Sequence, residues 1–191
     1  MGHERHAPPE SDAYHPPVSS PDVIVSERLE LWLASPAQLA ALRGGDARSV
    51  AQQLNATLSD EWVADVRWLA GFRLLQVTDH PDHAPWLFRA VVLKEPRTAI
   101  GHVNFHGPPD DRGVAEIGYS LLPAFRGQGY AIEAVRAMFD WAQREHGVRR
   151  FRASVAPDNE RSQHLIDKLG FVRIGEQWDE EDGLEWVFET A

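Results

Sequence analysis

Two glycines, two residues apart between a strand and a helix, carry the most legible chemistry in the chain. Val114 to Leu122 has the β-branched, aromatic and aliphatic content of a buried strand, Pro123 stops it, and from Ala131 the apolar period becomes helical. Between them runs Arg126-Gly127-Gln128-Gly129-Tyr130-Ala131. Gly127 and Gly129 permit a sharp bend and a close backbone approach, and the helix that follows begins with unpaired N–H groups and the positive end of its dipole. Such a turn seats a phosphate group, although the same pattern also serves as a plain connection. Glu116 is a carboxylate within an otherwise apolar strand, which makes it a functional group, an exposed edge residue or a partner for a cross-strand arginine. Asn159 and Ser162 stand at a predicted helix start, where capping alone accounts for both.

Composition narrows what this chemistry serves. A chain of 191 residues suits one well-buried domain. With 43% hydrophobic and 25% charged residues it has the balance of a soluble globular protein. No run approaches the ~18 apolar residues of a membrane span and no secretory signal pattern opens the sequence, so a cytoplasmic location is expected. The absence of cysteine removes disulfides, zinc–thiolate sites and thiol nucleophiles. A formal charge of −10 disfavours nucleic acid and anionic membrane as partners and favours a cationic acceptor such as an amine.

The elements that must position these residues follow from periodicity. Residues 1–25, with His3, His6, His15 and several prolines, read as a flexible arm, leaving 26–191 as a single domain. His3-Glu4-Arg5-His6 is one residue short of a zincin motif and is expected to be a solvated tail. Arg28 to Leu33 alternates as a strand, Ser35-Pro36 opens a helix ended by Gly44-Gly45, and a second helix spans Asp46 to Leu54. Asp60 caps a longer helix whose stripe runs through Trp62, Val66, Leu69 and Phe72 or Arg73. His80-Pro-Asp-His83 is expected to be loop, without the further ligands a metal site needs. Strands are predicted over Trp86 to Leu93 and Ala99 to His106. His102, Asn104 and His106 form a polar row, either solvent-facing or substrate-lining, whose two histidines lie about 13 Å apart at ~3.3 Å per residue and cannot share one ion.

After the glycine turn come a helix to Gly147, a strand over Arg150 to Val155, a helix from Asn159 to Gly170, and a hairpin turning at Glu180-Glu-Asp-Gly183. The coarse order is β-α-α-β-β-β-α-β-α-β-β, a mixed α/β domain whose central strand-helix-strand is parallel and right-handed.

Arg126-Gly-Gln-Gly-Tyr-Ala131, preceded by Glu116-Ile-Gly-Tyr119 and followed by Asn159-x-x-Ser162 and Lys168-Leu-Gly-Phe171, resembles the GNAT superfamily of acyl-CoA-dependent N-acyltransferases over roughly residues 26 to 190. The likeness is to the branch containing the ribosomal-protein alanine N-acetyltransferases. It implies a mostly antiparallel central sheet flanked by helices, and direct transfer of an acetyl group from acetyl-CoA to a primary amine with no covalent enzyme intermediate and no metal. It also implies that backbone amides of Arg126, Gly127, Gln128, Gly129, Tyr130 and Ala131 hold the CoA diphosphate. The pantetheine arm would pair along Ser120, Leu121 and Leu122 in a slot where that strand splays from Arg150 to Val155, with an N–H near Ser120 meeting the thioester oxygen.

In the same resemblance Glu116 is the base acting through water, Asn159 contacts the CoA arm, and Ser162 lies near the sulfur as a proton donor. The family's tyrosine three residues beyond that serine is Leu165 here, which leaves the general acid unassigned. The early helices border the acceptor side, where their tryptophans either pack or touch substrate. The acidic run from Glu176 to Glu185 is either a solvated hairpin or an attraction for cations. The acceptor is an amine-bearing small molecule or a protein N-terminus or lysine, and a homodimer is possible.

Rival patterns fit less well. A dinucleotide fingerprint needs Gly or Ala where Ile132 stands, and neither Gly-Lys-Ser/Thr nor Gly-x-Ser-x-Gly occurs. The alternative from another class is a non-catalytic acyl-CoA sensor, which keeps the turn and dispenses with the base.

Overall fold

A computed structural model describes residues 22–180 and 183–190. Of the arm expected over 1–25, residues 1–21 lie outside the described residues. Its last three residues form strand β1 (Val23–Val25), too short to announce itself by periodicity and held by antiparallel pairing with β2 (Leu29–Leu33).

Helix α1 (Pro36–Gly44) starts in a capping box between Ser35 and Gln38 and ends at Gly45 in the left-handed region, φ 81°. Asp46 caps α2 (Ala47–Leu54). Helix α3 (Asp60–Asp79) is capped by Ser59, one residue before the expected Asp60, because the serine side chain accepts from the Trp62 amide. Its ambiguous stripe resolves in favour of Arg73, which is buried against the sheet while Phe72 faces solvent. The strand expected from Trp86 begins later. Pro81 and Pro85 hold Pro81–Trp86 in a 3₁₀ turn, and β3 covers Arg89–Leu93.

Strands β4 (Thr98–Phe105) and β5 (Val114–Leu121) follow, then a 3₁₀ turn at Pro123–Phe125, α4 (Tyr130–His146), β6 (Arg150–Val155), α5 (Glu160–Lys168), β7 (Val172–Asp179) and β8 (Gly183–Glu189). Of the hairpin turn expected at 180–183, Glu181 and Asp182 lie outside the described residues. The strands make one eight-stranded sheet in the order β1-β2-β3-β4-β5-β6-β8-β7. Among the described strands only β5 and β6 pair in parallel, as the α4 crossover requires.

The sheet separates two apolar layers. On one face Ile117, Leu121, Val103 and Phe105 pack with Val135, Met138 and Phe139 of α4 and Ile166 of α5. On the other, Ala90, Val92 and Ala99 meet Trp62, Val66 and Ala70 of α3 together with Leu39 and Leu42 of α1. Trp62 is fully buried and its indole N–H donates to the Gly101 carbonyl at 2.9 Å, fixing α3 over β4.

Gly101 is where β4 and β5 approach too closely for any side chain. A methyl group there would overlap the Ser120 carbonyl oxygen and lie 2.7 Å from Leu121 Cδ2. Gly101→Ala is therefore expected to cost about 2 kcal/mol of stability in urea unfolding, the scale of overpacking. Gly175→Ala, with open space around the new methyl, should stay within about 0.5 kcal/mol of the parent.

Candidate functional site

The glycine turn adopts the shape its residues predict. Gly127 and Gly129 have φ of 75° and 82°, values that side-chain-bearing residues rarely adopt. Helix α4 starts at Tyr130 with Gly129 as N-cap and no side-chain cap, so the amides of its first turn keep their donors for an external acceptor. The turn is braced from outside. Glu133 accepts from the Ser26 hydroxyl, the Arg28 amide and Arg28 Nε, each at 2.7 Å, while Arg28 Nη1 donates to the Gln128 carbonyl at 3.1 Å and its guanidinium lies over the Tyr130 ring. Arg126, expected either to add charge to the turn or to face solvent, donates from Nε to the Leu121 carbonyl at 2.8 Å.

The slot implied for the sequence is present. Strands β5 and β6 pair only at Val114 with Arg150, Ala115 with Phe151 and Glu116 with Arg152. Beyond that point β5 continues to Leu121 and β6 to Val155 without pairing. The register with β4 decides which amides face the opening. His106 N–H donates to the Glu116 carbonyl and Leu122 N–H to the Ile100 carbonyl, both at 2.9 Å, with His102 opposite Ser120 between them. Ladder alternation therefore turns the Ser120 and Leu122 amides toward β4 and those of Tyr119 and Leu121 toward the opening. The resemblance calls only for an N–H near Ser120; the Ser120 amide itself is spent within the sheet, and its neighbours on either side are the open donors.

Glu116 sits at the apex of the opening, half-buried. The Ser154 hydroxyl donates to its Oε1 at 2.6 Å, Gln177 Nε2 donates to Ser154 Oγ at 3.1 Å, and His106 Nδ1 lies 3.8 Å from the same carboxylate oxygen. Of the two structural alternatives, Glu116 is no solvent-facing edge residue, and its hydrogen-bonding and nearest polar neighbours are a serine and a histidine, with the cross-strand Arg152 acting on it through charge alone. Arg152 is taken by Glu189, which also receives Arg112 and Arg150. Ser154 and Gln177 escaped sequence reasoning because only the order β5-β6-β8-β7 brings them here.

The polar row on β4 lines this same face. His102 is enclosed under α3, where burial, together with the positive charge of Arg73, pushes its pKa down to about 4 against a smaller opposing effect of Asn104. Arg73 is itself lowered to about 10 by burial, which leaves it charged at neutral pH. His106 is reached by water on one side of the cleft and walled by protein on the others. That partial burial lowers its pKa below the ordinary value despite the opposing charge of Glu116; Arg73 lowers it further and Asp179 raises it. The ring is consequently neutral near pH 7 and able to accept a proton.

On the opposite face, Asn159 caps α5 by accepting from the Ser162 amide at 3.1 Å, as capping alone predicted. The Ser162 side chain faces Tyr119. A depression of about 430 Å³ between the β1–β2 turn and α4 adjoins Gly129 and is lined by Arg28, Arg136 and Arg144, but it contains none of the Glu116 cluster. His80, Asp82 and His83, expected as loop, lie in the 3₁₀ turn with ligand atoms within 4.8 Å of one another; the first two are exposed. Among the described residues no helix is long and apolar enough to cross a membrane.

Residues 28–172 match the family model described as an acetyltransferase (GNAT) domain. An N-acetyltransferase of Bacillus subtilis (strain 168), named YjdG and uncharacterized, is 35% identical over 82 residues, 43% of this chain and 49% of that protein. The ribosomal protein uS5-alanine N-acetyltransferase of Escherichia coli (strain K12) is 36% identical over 59 residues, 31% of this chain and 30% of that protein. The chain thus spans about half the length, or less, of these curated relatives. Among solved structures, the ribosomal L7/L12 alpha-N-protein acetyltransferase in complex with coenzyme A superposes with a TM-score of 0.60 at 20% identity, covering 87% of this chain and 96% of that one.

The brace on the turn has a pH signature. Burial alone would raise the Glu133 carboxyl, but the bonds from the Arg28 amide, the Ser26 hydroxyl and the Arg28 guanidinium outweigh it and hold its pKa below the ordinary value. A depressed folded-state pKa stabilises above the unfolded value of about 4.3 and loses that stabilisation as pH falls through the folded one. Thermal unfolding should find the parent roughly 1 kcal/mol more stable than Glu133→Gln at pH 7, a figure discounted for the 43% exposure of Arg28. The two should converge as pH falls through the depressed folded-state value.

Proposed function

The chain belongs to the GNAT acetyltransferase family, and on that premise we propose that it moves an acetyl group from acetyl-CoA to a primary amine by direct attack. One observation carries the reading: β5 and β6 part between the uncapped glycine turn and Glu116, so a diphosphate held at one end directs an acyl group toward a carboxylate at the other.

The amides of Gly127 to Ala131 bind the diphosphate, and the open edge of β5 pairs with the extended arm that follows it. The Tyr119 and Leu121 N–H groups face that arm, where one of them receives the charge that develops on the thioester oxygen. The amine must be neutral to attack. Its proton passes to the Glu116 carboxylate, directly or through water, with neutral His106 as the adjoining acceptor. Ser154 and Gln177 fix the carboxylate rather than exchange protons with substrate. With no cysteine in the chain, a thiol-borne acyl enzyme has no site.

The acceptor is a cationic or amine-terminated molecule. Asp179 acts electrostatically on His106, and Gln177 bonds Glu185, so the β7–β8 hairpin brings carboxylates to the side from which an amine would enter. The two relatives named for acetylating ribosomal proteins support protein N-terminal amines as the first class to assay.

The test is CoA release from acetyl-CoA with a panel of N-terminal peptides, lysine peptides and small amines. Amine-dependent turnover is expected; tight acetyl-CoA binding without it would favour a sensor. Glu116→Gln should lower kcat by about 10²-fold, the scale of general base catalysis, with acetyl-CoA affinity unchanged within a few-fold. Full activity in that variant would remove Glu116 from the mechanism.

A further inference from the structure

The departing CoA sulfur needs a proton, and the helix residue that supplies one in the resemblance is Leu165. On α5 Ser162 remains, but a serine hydroxyl is too weak an acid to serve a thiolate readily. The structure holds a better one on a different element. Alternation along β5 puts Glu116, Gly118 and Ser120 on the face with His106 and Asn104, and Ala115, Ile117 and Leu121 on the face with α4 and α5. Tyr119 belongs to the second set and packs against the apolar layer there.

Its hydroxyl is shielded from solvent and has no hydrogen-bond partner, an unusual state for a buried phenol. The polar side chain it faces is Ser162, at the start of α5. Tyr119 also stands three residues past the last β5–β6 pair, along the rim of the opening.

We propose that Tyr119 is the general acid of the transfer, delivering its phenolic proton to the sulfur from the face of the sheet opposite Glu116. This rests on the acetyl-transfer reading above. Glu116 and Tyr119 are about 10 Å apart along the strand at ~3.3 Å per residue, and their side chains leave the sheet on opposite sides. A thioester lying in the opening between them is attacked from the acceptor side while its leaving group points to the helix side.

The step balances. The amine nitrogen forms a bond to the acyl carbon and gives its proton to the Glu116–His106 side. The C–S bond breaks with its electron pair on sulfur, the phenol O–H breaks to form S–H, and the phenolate takes a proton back from water. Burial raises the phenol's pKa above its ordinary value, with Ser162 partly opposing, so the hydroxyl stays protonated through neutral pH. Ser162 faces the ring oxygen without bonding it in the resting protein and does not itself transfer the proton. The orphaned hydroxyl has an occupation in this arrangement that the fold does not require of it.

Tyr119→Phe removes only an oxygen that no other group bonds, so folding and acetyl-CoA binding should match the parent in calorimetry. With acetyl-CoA and a productive amine, kcat is expected to fall by about 10²-fold at unchanged KM. The selenoester analogue of acetyl-CoA, with selenium in place of the sulfur, supplies the discriminating readout, because it keeps the diphosphate and the arm while its more acidic selenol leaves without a proton. Parent and Tyr119→Phe should then acetylate the amine at equal rates. Parent-like kcat with acetyl-CoA, or an equal loss with both donors, overturns the assignment. If the parent neither binds acetyl-CoA nor turns over any amine, the underlying reading fails instead, and the two failures are separable by the parent alone.

Discussion

The whole arrangement depends on one pair of strands that pair and then stop pairing. β5 and β6 are the parallel pair of the sheet, and they share a ladder only through Glu116 and Arg152. Each is anchored on its other edge, β5 to β4 and β6 to β8, so the opening costs neither strand its place in the sheet. What it leaves is a row of backbone N–H and C=O groups without partners, normally an unfavourable condition inside a protein. A ligand that brings its own amides repairs it. The Arg126 side chain already occupies one of these carbonyls, at Leu121, closing the end of the row nearest the glycine turn.

The two faces of the opening differ in kind because alternation along β5 forces them to. On the α3 face a polar cluster survives within a packed domain by staying mostly neutral. His102 is held uncharged by burial and by Arg73, a buried cation of α3 beside the row that donates to Gln76 at 2.7 Å and more weakly to the His106 carbonyl. A second cation at His106 would sit close to that guanidinium, and its lowered pKa is the result. On the α4 and α5 face the opening borders the apolar layer, where Tyr119 packs with its hydroxyl toward Ser162. One face can take a proton from an amine, and the other can give one to a thiolate.

Local features of this site were readable from the residues. The turn at Gly127 and Gly129, the caps at Ser35 and Asn159, and the strand carrying Glu116 each follow from a few consecutive residues, and each is as expected. The exceptions are also local in origin. Ser59 and Asp60 compete for one cap and the hydroxyl wins; Trp86 has strand character, but two prolines bend its backbone. Long-range features were not readable. That Ser154 and Gln177 meet Glu116 depends on β8 lying between β6 and β7, and that Ser120 turns its amide away from the opening depends on its register against His102. A one-residue shift would have put Ser120 at the open edge in place of Tyr119 and reversed every side chain on β5. Nothing in the residues of β5 alone chooses between those registers; the overlap that any side chain at Gly101 would make with Ser120 shows how tightly the packing chooses.

Glu133 poses an electrostatic difficulty that the fold answers. A carboxylate in the first turn of α4 suits the helix dipole, yet it stands beside the amides proposed to hold a diphosphate and would repel that ligand. Three donors from the β1–β2 turn converge on it, and one of them carries a full positive charge. The pair Arg28–Glu133 is near neutral as a unit, so the dipole remains the dominant field at the turn. Arg28 then extends beyond the carboxylate to the Gln128 carbonyl and the Tyr130 ring, tying the turn's backbone to the first strands. An acid at this position therefore serves the proposed phosphate seat by recruiting the cation that orders it. The short β1–β2 pair, which periodicity did not reveal, is the element that delivers that cation.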